Sequence, residues 1–285
     1  MLLTMLGRAP EADTQLVYAL RLAFKNHALQ VDAPTLAAWA AASPGDAGRI
    51  VEGCLALTTP AAARFLAARV RDAKTPDLRI GEFARHVALN LPKEEFASFA
   101  ALLEPLSAAS ALQRLMAAEG LATIAAQPQR VLPDDVAAWM RRELFAALED
   151  KAALAVRAAN ALKPLALPEK GAPLRRRALA TNAAESVRAA ALRALTPGEP
   201  ETAATAIAVL VSAAPLGARR AAAEVLGLSR LSSAGLAALA GAFEGASADF
   251  ALTLATTLAT SDQGAAELLE LAVAGRVRLA LLRHR

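Results

Sequence analysis

The residues best equipped for chemistry in this sequence are one cysteine, three histidines and two acidic doublets. Their spacing limits what they can do. Covalent haem attachment takes two cysteines and a histidine as C-x-x-C-H. Cys54 sits in "EGCLALTT", which supplies none of the other parts. Histidines hold a metal when they lie at i, i+4 or converge with carboxylates or thiolates. His27, His86 and His284 are far apart, and His27 ("FKNHALQ") and His86 ("FARHVALN") fall inside helical patterns, where a hydrogen-bonded packing histidine is expected. Glu94–Glu95 and Asp134–Asp135 imitate an acid–base pair. Each doublet follows a proline, Pro92 or Pro133, at a helix start, where carboxylates complement the positive end of the helix dipole. Neither a Gly-rich phosphate loop nor a G-x-S-x-G elbow occurs. The expectation is a chain without catalytic residues, metal ligands or cofactor.

Anion binding is the chemistry left. "APLRRRALA" carries Arg175, Arg176 and Arg177, and "GARRAAAEVL" adds Arg219 and Arg220. Three successive arginines point in different directions on a helix, so part of that cluster must face solvent. With Arg188 and Arg193 nearby it could meet phosphate, carboxylate or a protein partner. The formal net charge is +4, with 15 basic and 14 acidic residues in 1–142 and 16 and 13 in 143–285. That excess is small for a committed nucleic-acid binder.

The elements that must position these residues are helices. Hydrophobic residues make up 55% of the chain and aromatics 4%, with much of the apolar share alanine, the strongest helix former. Alternating β-branched runs are absent. Pro34, Pro60, Pro92 and Pro133 stand where helices begin, and Thr59 and Asp13 suit N-caps. In 13–30, Leu16, Leu20, Ala23, His27 and Val31 form one stripe and Tyr18, Leu22 and Leu29 a second, which predicts a helix covered on two sides. After residue 150 the pattern predicts helices over about 150–163, 170–180, 183–195, 199–213, 216–228, 232–244, 248–260 and 262–274. The uncharged window 202–218 is broken by Pro215 and Gly217, which predicts a buried helix rather than a membrane span. The opening "MLLTMLGRAP" is too short and lacks the basic lead of a signal peptide.

Repetition organises these helices. Arg157, Arg188 and Arg219 are spaced by 31 residues, each followed by small or apolar residues, and Trp39 and Trp139 occupy matching "AAW" positions 100 residues apart. Short links between helices at a fixed period favour stacked pairs. The fold class expected is all-α, an α-α superhelix of paired helices. One domain would span 1–285, less regular over 1–149 and built of repeats of about 31 residues over 150–285.

The register "VR..A..AL" of 187–195 resembles the second helix of a HEAT repeat, and 156–163 and 218–227 match it more loosely. The resemblance implies a structural role for Arg157, Arg188 and Arg219 in polar ladders between repeats, with Ala191 and Ala222 at close contacts and Glu185 available to Arg188. A wider likeness joins it. "LVYALRLAFKNHAL" (16–29), the preceding "LLTMLGRAPEADTQ" and "AELLELAVAGRVRLALL" (266–282) resemble the helical region of large bacterial membrane-bound dehydrogenases, which combine a sugar-dehydrogenase-like β-propeller, a HEAT-like stretch and a terminal haem-binding C-x-x-C-H domain. That resemblance implies a helical module from a larger chain, periplasmic or in the cell envelope, with the dehydrogenase chemistry residing in domains not present here.

Three functions follow as expectations. The first is a non-catalytic scaffold or interaction module whose partner is a protein or neighbouring domains of the same parent chain, with no membrane insertion. The second is a HEAT-like DNA-binding protein similar to alkylpurine DNA glycosylases, with Arg175, Arg176, Arg177, Arg219 and Arg220 on phosphates. The scarcity of aromatics for base stacking weighs against it. The third is an accessory enzyme of the chromophore or haem-protein lyase kind, for which no acid- and histidine-lined pocket can be assembled from these spacings.

Overall fold

The computed structural model describes residues 12–70, 76–104 and 110–278, together with Leu2, Met5, Ala9 and Pro10. The described residues form sixteen α-helices and short 3-10 turns joined by loops, with no strand among them. The chain is therefore all-α, as its alanine content and proline spacing predict. It forms two compact units, Met1–Leu144 and Phe145–Arg285.

The first unit contains α1 (Thr14–Ala28), α2 (Ala33–Ala42), α3 (Ala47–Leu55), α4 (Pro60–Val70), α5 (Asp77–Asn90), α6 (Phe96–Leu103) and α7 (Ala111–Ala125). Their starts follow local chemistry. The carboxylates of Asp13 and Asp32 accept from the amides of Leu16 (3.0 Å) and Thr35 (2.9 Å), and the hydroxyls of Thr59 and Ser110 accept from Ala62 and Gln113 (both 3.2 Å). Each cap satisfies one of the amides that a helix start leaves open. Helices α1, α3, α5 and α7 pack in sequence as one row, and α2, α4 and α6 as another.

Glycine sets the tightest crossing. A Cβ on Gly81 of α5 would stand 2.6 Å from the carbonyl oxygen of Met116 in α7, and one on Gly120 of α7 would overlap the carbonyl of Gly81. The two backbones touch directly.

Helix α8 (Asp134–Leu148) bridges the boundary in sequence. The second unit contains α9 (Ala152–Leu162), α10 (Gly171–Leu179), α11 (Glu185–Ala194), α12 (Pro200–Val211), α13 (Leu216–Gly227), α14 (Ser233–Gly241), α15 (Ala248–Leu258) and α16 (Asp262–Val273). All eight fall within two residues of the sequence expectation at both ends, except that α14 stops at Gly241 rather than 244. The window 202–218 is split between α12 and α13, and no described helix is long and apolar enough to cross a membrane. Helices α9, α11, α13 and α15 form one row and α10, α12, α14 and α16 the other. Ala189, Ala190 and Ala191 of α11 are all buried, as are Ala221, Ala222 and Ala223 of α13. Three successive buried positions span about 200° of a helix, so each of these helices is covered over more than half of its circumference. Only a methyl-sized side chain allows that.

One expectation changes. Leu20, Phe24 and Ala28 are the buried positions of α1, while Tyr18 (68%), Leu22 (43%) and Leu29 (47%) are exposed. The second apolar stripe is uncovered, and of the first only Leu20 is buried while Leu16 and His27 are exposed, because α1 has one row neighbour, α3, among the described residues.

Candidate functional site

The arginines singled out by spacing are placed by the ends of helices. Arg188, in the first turn of α11, is 5% exposed and donates Nε to the carbonyl of Ala178 in the last turn of α10, at 2.9 Å. Arg219, at the same position of α13, donates Nε to Leu210 in the last turn of α12, at 3.1 Å, and lies 5.0 Å over the Phe250 ring. Arg276 extends the series by donating to Ala240 near the end of α14, at 3.2 Å. A helix leaves its final carbonyls unpaired and its C-terminus partly negative, so a guanidinium there satisfies both needs. Arg157 lies in α9 and is also engaged.

The bonds that run from one helix to the next along a row come from other residues. Arg193 of α11 pairs with Glu224 of α13 at 2.8 Å, and Arg220 of α13 with Asp249 of α15 at 3.7 Å. Glu185 turns away from Arg188 and accepts from the backbone amide of Gly217 at the start of α13. Unpaired amides at a helix N-terminus attract a carboxylate strongly. In the first unit Arg79 of α5 reaches Glu52 of α3 at 2.5 Å, and Arg114 of α7 reaches Glu143 at 3.0 Å. Glu95 meets Arg64 through two short bonds, which hold its carboxyl below the usual range. The Glu94–Glu95 doublet thus supplies an ion-pair partner as well as a favourable helix start.

Of the candidate anion contacts, Arg176 is exposed and pairs with Glu149 at 2.5 Å, while Arg177 is largely covered and lies 3.9 Å from the same carboxylate. Arg175 is half-buried beside Gly171. Glu149 neutralises part of the triplet, and Arg219 and Arg220 are engaged as above.

Cys54 and His86 are embedded in packing, while His27 is exposed. Cys54 is fully buried in α3, and burial pushes its thiol up to about 12. His86 of α5 is 6% exposed, with Nε2 at 2.6 Å from the carbonyl of Leu57, just past the end of α3. That geometry assigns the proton to Nε2 in the neutral ring. Burial lowers its basicity, partly opposed by the Leu57 bond. His27 stacks on Trp39 with centroids 5.3 Å apart. His284 lies outside the described residues. Lys170, which sequence inspection passed over, is 5% exposed and donates Nζ to Leu162, Lys163 and Leu165 at 3.2, 3.0 and 2.6 Å, closing the end of α9. Burial lowers its pKa, and Glu199 opposes that shift. The i, i+8 offset from Leu162 carries no motif that would have revealed it.

A cleft of about 650 Å³ lies in the first unit between α1 and α3. Tyr18, Leu22 and Phe24 give it apolar lining, and Arg21, Lys25, Arg49 and Glu52 bring charge to it. Among the described residues no group of three or more His, Cys, Asp or Glu side chains is placed to hold a metal ion.

These features define an all-α protein of two helical units, each built from two rows of helices, with helix ends in the second unit closed by Lys170, Arg188, Arg219 and Arg276. No known family matches the sequence, and no curated protein matches it. A solved structure of lipovitellin, described for its lipid–protein interactions, is similar in fold, with a TM-score of 0.59 and 17% identity over the whole of this chain. This chain spans about a third (33%) of the lipovitellin chain. At that identity the likeness is one of fold alone.

Proposed function

We propose that the chain is a HEAT-like helical-repeat module, wound as a superhelix, that holds a protein partner or neighbouring domains of a parent chain in fixed relation without performing a reaction. The observation that carries this reading is the recurrence of one device. Arg188 closes the preceding helix onto Ala178, and 31 residues on Arg219 does the same onto Leu210. Between those two steps Arg193 ties to Glu224, again at a separation of 31. Repeats that contact only their neighbours leave long surfaces free for partners. Cys54, His86 and the acidic doublets also have structural uses, which supports a non-catalytic role.

The likeness to the helical region of bacterial membrane-bound dehydrogenases extends the proposal to the module's setting, periplasmic or in the cell envelope beside a propeller and a haem domain. The duplex-DNA reading draws less support, since Arg176, Arg177, Arg219 and Arg220 are all turned to partners within the chain.

Small-angle X-ray scattering tests the architecture. A compact chain of this length has a radius of gyration of about 19 Å, and a superhelix must give a clearly larger value. A measured value at the compact limit rejects the superhelix. Sedimentation of the chain with the separately produced product of the adjoining reading frame tests the partner. Absence of a complex at micromolar concentration rejects the scaffold reading.

A further inference from the structure

The cleft between α1 and α3 carries a chemistry that neither the repeat architecture nor the scaffold reading uses. Its lining includes three cations, Arg21, Lys25 and Arg49, and one carboxylate, Glu52. Glu52 is already held by Arg79 at 2.5 Å, and Arg49 by Asp46 at 2.5 Å. Arg21 and Lys25 have no ion-pair or hydrogen-bond partner among the described residues. They stand on successive turns of α1, on the flank that faces α3.

The rest of the lining is apolar. Phe24 is 5% exposed and lies against Gly53, where an added Cβ would overlap the ring. The glycine therefore keeps the aromatic floor seated between the helices. Tyr18 and Leu22 form an outer apolar wall, 68% and 43% exposed. A volume of about 650 Å³ falls within the roughly 300–1,000 Å³ of small-molecule sites, which combine apolar walls with a few placed polar groups.

We infer that this cleft binds a small organic acid, in which a carboxylate meets Arg21 and Lys25 and an apolar body lies against Phe24, Leu22 and Tyr18. Charge decides the class. Two cations without a counter-charge among the described residues, beside an apolar floor, favour a monoanion with a hydrophobic portion over a neutral or cationic amphiphile. Binding here is independent of whether the chain scaffolds other domains.

Tyr18 is the single tyrosine of the chain, so 3-fluorotyrosine incorporation gives one fluorine NMR signal at the cleft. Decanoate, kept below its micelle-forming concentration, should shift that signal saturably, while decyltrimethylammonium should not. The double substitution Arg21→Gln/Lys25→Gln should weaken decanoate binding on the order of tenfold, equivalent to about 1.4 kcal/mol. Both side chains are exposed and have no ion-pair partner among the described residues, and circular dichroism checks that the variant folds. The comparison of the two amphiphiles on the unaltered chain needs no variant. A non-saturating response, an equal response to the cationic amphiphile, or undiminished decanoate binding by a folded variant each overturns the assignment.

Discussion

Gly81 and Gly120 meet backbone to backbone, with a Cβ on Gly120 falling onto the carbonyl of Gly81. Helices α5 and α7 can approach this closely only because neither carries a side chain at the crossing. Gly120→Ala forces the helices apart and should cost at least the roughly 1–3 kcal/mol of an overpacked core. Gly48→Ala, in α3 with nothing within 4 Å, should instead stabilise by a few tenths to about 1 kcal/mol through helix propensity. Urea midpoints of the two variants decide it, and equal effects would show that the crossing is not tight.

Arg188 provides a test of the helix-end device. Its buried guanidinium donates to Ala178, and hydrogen bonds to charged groups contribute about 1.5–3 kcal/mol. Arg188→Met keeps the aliphatic volume and leaves the carbonyl without this partner, so a loss of about 2–3 kcal/mol is expected in urea unfolding. Arg219→Met should cost less, because its side chain is only half-buried. A reversed order of the two variants contradicts the burial argument.

His86 should make stability fall on mild acidification. Burial lowers its folded-state pKa below the unfolded value of about 6.5. Above that value both states are neutral and the histidine adds no pH dependence. As pH drops below it, the unfolded chain takes up a proton that the folded chain resists, so stability declines down to the folded pKa. Urea midpoints between pH 7.5 and about pH 5.5 should fall in the parent and flatten in His86→Gln. That window stays above the titration of ordinary carboxylates. A parent midpoint that is level across it removes His86 as the cause.

Cys54 should report on opening of the first unit. A fully buried thiol held near 12 presents almost no thiolate at pH 8. Reaction with a disulfide reagent should be slow in the native protein and immediate in concentrated urea. Rapid stoichiometric labelling without denaturant would mean that α3 opens freely.

The Arg193–Glu224 pair should be weak. Both side chains are 44% exposed, and half-exposed pairs contribute about 0–1 kcal/mol with salt screening. A double-mutant cycle with Arg193→Ala and Glu224→Ala should give a coupling energy within that range, shrinking at high salt. A coupling above about 2 kcal/mol would make the pair a principal support of the row.

The helices were legible because their signals are local. Pro34, Pro60 and Pro133 sit at or beside helix starts, Asp13 and Thr59 cap as their side chains predict, and the boundaries after residue 150 follow proline and glycine punctuation. His86 was legible as a packing histidine from its apolar helical context. The partners were not. Glu185 has Arg188 three residues away, yet it bonds Gly217 because the open amides of α13 are brought to it by packing.

The sequence by itself determined an all-α chain rich in alanine, with helices punctuated by proline and a register that returns after 31 residues, since propensity, capping and periodicity act over a few residues at a time. Tertiary structure decided which arginine closes a helix and which ties one helix to the next. It also buried Lys170 against three carbonyls and set Arg21 and Lys25 beside Phe24 in one cleft, without an ion-pair partner among the described residues. Those outcomes depend on which helix ends meet in the folded chain, from 5 residues apart for Lys170 and Leu165 to 31 for Arg193 and Glu224, and no local pattern encodes them.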